Sequence, residues 1–354
     1  MRKRSTALVA IGVLALAAAF PAVAGKAPEL SPLDKLLGNP AKGSPQISPD
    51  GTRLAYLAPS DKGILNVWVK TLGKDDDVQI TDDTYRGIWE FMWVLDGKRV
   101  LYFQDVGGDE NSHVYSVDLD TKIVRDLTPF QGIGVMEIEL DEDHPNAMLV
   151  GLNLRDPGAF DMYRVDLTTG AVVLDTENPG DVVGWIMDDA FRIRGAIAMS
   201  PEDGSRILRV RDGADAPWRE IAVWPFGEYG RGIAFTKDGK ALWAKTSLGS
   251  DKTSLVKMDA ATGKELAVVA SNPKADVGDV MLHRKTREVQ AVSFDYLRNE
   301  WTVLDPSVRA DFEALARVQR GEFYIQSRDL ADRSWIVMYR ADDRSPAWYL
   351  WRRD

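Results

Sequence analysis

Between Gly87 and Phe130, four apolar runs alternate with three polar breaks. Gly87–Val94 carries Ile88, Trp89, Phe91, Trp93 and Val94 almost without interruption and reads as a first strand. Asp96 and Gly97 supply a tight hairpin turn, because such turns require residues that tolerate a positive φ. Arg99–Gln104 reads as a second strand and Gly107–Ser112 as a polar loop. His113–Leu119, apolar at Val114, Tyr115, Val117 and Leu119, reads as a third. Asp120, Thr121 and Lys122 turn the chain into Ile123–Leu127, a fourth strand.

The same unit recurs along the chain. Ser44–Asp83 precedes it, with a Pro49-Asp50-Gly51 turn and strands at Arg53–Ala58, Asn66–Lys70 and Val78–Thr81. Copies follow near Gly134–Asp181, Val182–Gly227, Gly230–Lys274 and Val277–Gly321. A last copy starts at Phe323–Gln326, continues through Trp335–Tyr339 and reaches Trp348–Trp351. The spacing, roughly 43 to 48 residues, is that of propeller blades. The expected fold is all-β: a seven-bladed β-propeller of four-stranded antiparallel blades, the last blade incomplete for want of its fourth strand. Ala310–Val318 breaks the pattern, because Phe312, Leu315 and Val318 are spaced for a helix better than for a strand. Helix and strand both stay open there.

Strand direction assigns the loops to two faces. In an antiparallel blade the first-to-second and third-to-fourth hairpins share one face, here the hairpin face. The second-to-third loops and the links between blades share the other, the linking face. The chain enters blade one, and would leave a complete blade seven, on the linking face. Gly107–Ser112 lies on that face too, so Asp109 and Glu110 are candidates to meet a partner domain or a peptide amino terminus. The alternative is that Asp109, Glu110 and Asn111 serve only the backbone amides of a sharp loop.

Ahead of the repeat, Met1–Ala24 has the form of a secretory signal. Arg2, Lys3 and Arg4 precede the apolar run Ala7–Phe20, and Ala22, Val23 and Ala24 fit the small-residue cleavage rule. Cleavage there implies export, to a bacterial periplasm; an uncleaved membrane anchor is the alternative. Residues 25–43 read as a linker with a short apolar patch at Leu33, Leu36 and Leu37, and residues 44–354 as the propeller domain. A net charge of −10 argues against nucleic acid or an acidic membrane surface as a partner. The absence of cysteine removes disulfides, thiolate metal sites and a cysteine nucleophile together.

Catalytic motifs are equally sparse. No serine has glycine at both −2 and +2, so the nucleophile elbow Gly-x-Ser-x-Gly does not occur. The three histidines, His113, His144 and His283, form no His-Glu-x-x-His pair, and each reads as a structural residue. Gly132-x-Gly134 lacks the third glycine of a dinucleotide loop, since Glu137 stands in its place. Asp75–Asp77 and Asp141–Asp143 read as solvated hairpin tips before they read as calcium sites. No cofactor is expected.

One stretch carries a family likeness. Gln104-Asp105, Gly108-Asp109-Glu110-Asn111, His113, Tyr115, Val117-Asp118 and Arg125-Asp126-Leu127-Thr128-Pro129-Phe130 resemble the propeller of bacterial prolyl oligopeptidase family serine peptidases, including the acylaminoacyl-peptidase and dipeptidyl-aminopeptidase branches. Ser48-Pro49-Asp50-Gly51 and Asn178-Pro179-Gly180-Asp181 match the same pattern. The resemblance implies a seven-bladed propeller that caps an α/β-hydrolase domain and restricts access to a serine triad. It makes this chain the N-terminal propeller half of such a peptidase, with the catalytic domain missing and no activity expected of the chain alone. The implied partners are that hydrolase domain and short peptides. Two other classes compete: a free-standing periplasmic propeller that binds proteins as a scaffold, and a propeller glycosidase using paired carboxylates, for which no pair can be fixed at the required separation.

Overall fold

The computed structural model describes residues 38–353. The expected signal segment, and the linker up to residue 37 with its Leu33, Leu36 and Leu37 patch, lie outside the described residues. Seven antiparallel sheets follow one another along the chain, and in each the strands are hydrogen-bonded in sequence order. The first five sheets have four strands and the last two have three. The seven-bladed propeller expected from the repeat is therefore present, with three strands in its last blade.

Each blade is apolar on both faces, and neighbours must bury them. Six apolar clusters do this, joining blades one and two around Val67 and Val100, two and three around Leu101 and Val150, and so on to blades six and seven. The joint between blades seven and one is made differently. The Ile47 amide donates to Ser327 Oγ at 3.0 Å, Gln326 Nε2 to the Pro45 carbonyl at 2.8 Å, and the Leu330 amide to the Pro49 carbonyl at 2.8 Å. An apolar groove of about 270 Å3 runs beside this joint, walled by Leu54, Tyr56 and Leu72 of blade one and by Ile336, Trp348 and Leu350 of blade seven.

The ambiguous segment in blade six is a helix, Arg309–Val318, in the place of a fourth strand. Its residues are mostly good helix formers, Asp311 sits in the first turn and Arg317 in the last, and both charges complement the helix dipole. Phe312 and Leu315 bury one face of it against Phe323, Trp335 and Tyr339 of blade seven. Tyr339 donates its hydroxyl to the Leu315 carbonyl at 2.7 Å. Asp311 accepts from Trp351 Nε1 and from Arg353 Nε, both at 2.9 Å, so the helix is tied to the outer strand of blade seven.

One expectation changes. Gly87–Val94 is not one strand: only Phe91–Trp93 pairs in the sheet. The preceding residues hook back instead onto blade one, where the Ile88 amide donates to the Leu65 carbonyl at 2.8 Å, and Trp89 is left 68% exposed. Blade seven, with strands Glu322–Arg328, Ser334–Ala341 and Arg344–Arg352, ends on the hairpin face. There the Arg353 amide donates to the Arg333 carbonyl at 2.8 Å, within the hairpin of the first two strands.

Candidate functional site: the linking-face loop and the axial tunnel

The expected site residues lie between the strands Arg99–Gln104 and His113–Asp118. The loop is largely self-satisfied. Asp109 Oδ1 accepts from the Asn111 amide at 3.1 Å and from the Val106 amide at 3.3 Å, and Asn111 Nδ2 returns a bond to the Asp109 carbonyl at 3.2 Å. The Asn111 amide is the main reason that the Asp109 carboxyl sits below the usual range. Asp105 pairs with Arg86 at 3.3 Å, which ties the loop to the link between blades one and two on the same face. Glu110 differs from its neighbours. It is exposed, its φ is +63°, and its carboxylate takes no hydrogen bond from the described residues. Asp109 and Asn111 thus bond within the loop, whereas the Glu110 carboxylate does not.

The histidines are structural in their contacts. His113 Nδ1 meets Asp126 at 2.8 Å, His144 Nδ1 meets Asp141 at 2.7 Å and its ring stacks on Phe191, and His283 Nδ1 accepts the Thr286 amide at 3.1 Å. Asn178, in the second family stretch, is buried and ties the blade three-to-four link by donating to the Val182 carbonyl at 2.9 Å.

A second group of functional side chains, not singled out in the sequence, lines the axis. The inner strand of blade three, Val135–Leu140, is bulged at Glu137, because Ile138 faces Val150 whereas Met136 faces Gly151. Gly151 is needed there: a Cβ at that position would collide with the Met136 carbonyl oxygen. The bulge gives Glu137 a φ of +50° and aims its carboxylate across to blade four, where Oε2 accepts the Trp185 amide at 3.0 Å. Glu137 and Glu139 then share a cavity of about 410 Å3 with Arg231 of blade five.

Burial sets the electrostatics of this cavity. It raises the Glu137 carboxyl, against the pull of the Trp185 amide and Arg231. It pushes Glu139 up to about 7, with repulsion from Glu137 adding and Arg287 opposing. Burial also pulls Lys245 below the ordinary lysine range, and its ammonium donates to the Gly278 carbonyl. Glu139 can therefore hold or release a proton near neutral pH inside the tunnel. Simple alternation along Val135–Leu140 does not predict this pair, because the bulge at Glu137 resets the direction of its side chain relative to Glu139.

The mouth of the tunnel on the hairpin face is wider, about 580 Å3, and bipolar. Asp141, Glu142, Asp143 and Asp189 come from blades three and four; Arg284, Lys285, Arg287 and Arg328 come from blades six and seven. Arg287 reaches Asp189 across the mouth at 3.3 Å. Among the described residues no cluster of side chains suits a metal ion.

No protein-family model matches the chain. It is 38% identical to dipeptidyl aminopeptidase BIII of Pseudoxanthomonas mexicana over 328 residues, which are 92% of this chain and 47% of that protein. The chain thus spans about half the length of this curated relative. Among solved structures, a prolyl endopeptidase superposes on 88% of this chain and 48% of its own, with a TM-score of 0.63 at 14% identity. The β-propeller domain of the Trilobed protease from Pyrococcus furiosus, which has an open velcro topology, superposes on 88% of this chain and 92% of its own, with a TM-score of 0.57 at 13% identity. The ring of seven blades and the 38% identity to the aminopeptidase agree with the Gln104–Phe130 likeness: the chain is a seven-bladed propeller homologous to about half of that aminopeptidase.

Proposed function

We propose that this propeller controls access of short peptides to a serine-peptidase domain of α/β-hydrolase type that docks on the linking face. The observation that carries the reading is the axis itself. It is lined by charged groups from several blades, with Glu137, Glu139 and Arg231 in one cavity and a bipolar mouth on the hairpin face. Such a lining suits extended, zwitterionic chains and rejects apolar folded surfaces. On the linking face the free carboxylate of Glu110 takes the role of meeting a peptide ammonium or a cationic side chain of the docked domain. The Met1–Ala24 pattern supports an exported, periplasmic setting.

Purified alone and given aminoacyl and dipeptidyl p-nitroanilides, the chain should show no turnover, because it holds no nucleophile elbow. Hydrolysis that copurifies with it and is blocked by a serine-directed reagent would overturn the assignment. Joined to a hydrolase domain of the family, the propeller should confine cleavage to short peptides. Glu110→Ala should then raise KM several-fold for peptides with a free amino terminus and leave N-acetylated ones unchanged. An unchanged KM for both would return Glu110 to a loop residue.

A further inference from the structure

We propose that Arg284 forms a carboxylate-binding site in the hairpin-face mouth of the tunnel. The residue projects from the first hairpin of blade six and lines two cavities at once. One is the mouth of about 580 Å3; the other, about 190 Å3, it shares with Gln46, Trp93 and Leu330 of blades one, two and seven. It therefore reaches across the axis.

The neighbouring arginines are spoken for. Arg328 donates to Gln290 Oε1 at 3.1 Å and the Leu282 carbonyl at 2.7 Å and pairs with Asp332 at 3.3 Å; Arg287 pairs with Asp189. Arg284 has only a long bond from Nη1 to the Arg328 carbonyl, at 3.4 Å. Its Nε is buried and has no partner. Burying a guanidinium donor without an acceptor is costly, and the cost is recovered when an anion arrives. Burial also draws the guanidinium below its ordinary range, with Glu142, Asp332 and Asp329 only partly offsetting it.

The geometry selects the anion. A guanidinium in the cavity lining whose Nε has no partner and whose Nη1 makes only one long bond has donors left over, and arginine takes a carboxylate through two parallel bonds. Asp141, Glu142 and Asp143 line the same mouth and offset its cationic side of Lys285, Arg287 and Arg328, so no excess positive charge calls for a multiply charged anion such as phosphate. A peptide carboxylate, terminal or side-chain, fits both constraints. The place of this site in peptide entry rests on the access function proposed above; the binding itself does not.

Calorimetric titration of the isolated chain tests it with three probes: N-acetyl-dialanine, its C-terminal amide, and N-acetyl-aspartyl-alanine amide. The free dialanine should bind at least tenfold more tightly than its amide. Binding of the aspartyl amide as well makes the site one for any carboxylate, and its failure to bind assigns the site to a peptide terminus. Arg284→Met should abolish the preference, and Arg284→Lys should keep part of it. Equal binding of dialanine and its amide, or a preference that survives Arg284→Met, overturns the proposal. The probe comparison on the unaltered chain keeps the test decisive if Arg284→Met misfolds. Carboxylate binding without any effect of Arg284→Met on cleavage in a complete enzyme would sink the access function and leave this site standing.

Discussion

Glu139 offers the sharpest quantitative test of the tunnel's electrostatics. Its carboxyl has an ordinary value of 4.5 and is held at about 7, chiefly by burial and then by the charge of Glu137. At about 1.4 kcal/mol per pH unit, ionising it in the folded chain costs on the order of 2–3 kcal/mol of stability once its residual solvent contact is allowed for. The sign follows from which state binds the proton. Below the unfolded value both states are protonated and nothing is lost. Between the two values the folded chain keeps a proton that the unfolded chain has released, so stability falls as pH rises. Above the folded value the penalty is complete. Glu139→Gln cannot ionise, so its advantage over the parent should be small near pH 5, grow toward pH 7 and level off by about pH 8.5. Paired guanidinium titrations of the two proteins across that range measure it, and other titrating groups cancel in the difference. In a Glu137→Gln background the repulsion is gone, so the difference should level off at a lower pH and at a smaller value. A difference between Glu139→Gln and the parent that stays flat, or that shrinks as pH rises, would refute the reasoning.

Other consequences are open to measurement. Asp311→Ala removes the acceptor shared by Trp351 and Arg353 and should cost about 1–3 kcal/mol, read as a lowered Tm. Gly230→Ala would place a Cβ inside the ring of Trp224, a fully buried residue, and should cost at least about 2 kcal/mol. Trp224→Leu in the same chain should recover part of that loss, and no recovery would show that the backbone at Gly230 is the true constraint. Glu110→Gly relieves a left-handed backbone at an exposed position and should stabilise the chain by about 1 kcal/mol in denaturant titrations.

The fold was legible because blades repeat. Turn chemistry at Asp96-Gly97 and Lys237-Asp238-Gly239, with apolar runs between, recurs at a spacing that no other architecture explains as simply. What the sequence blurred lay where tertiary contacts override local pattern. Gly87–Glu90 has the composition of a strand, yet the Ile88 amide bonds to Leu65 of blade one and only the Glu90 carbonyl, which takes the Phe103 amide, reaches blade two. The helix Arg309–Val318 could be suspected from the Phe312–Leu315 spacing, but only its packing against Phe323 and Trp335 decides it. The linking-face loop could be placed from strand direction alone. The tunnel groups could not, since Glu137 owes its direction to a bulge that depends on Gly151 in the next strand. Arg284 gave no signal at all: an arginine beside lysines and arginines reads as a solvated turn, and its orphaned Nε exists only once blades one, two, six and seven surround it.

The joint between blades seven and one is built differently from the other six. Six of the seven joints are glued by apolar clusters, whereas this one relies on a few hydrogen bonds beside an unfilled groove. A ring whose last joint is closed by polar bonds beside a groove behaves like a split washer when that joint loosens: a small spread at the gap would widen the bore without unfolding any leaf. Local opening free energies follow contact density, so the amides of Ile47 and Leu330 should exchange with solvent ahead of those in the middle of blade three. Under the access function proposed above, a bore widened from that side would admit a bulky guest past Glu139 and Arg284 only while the gap stayed open.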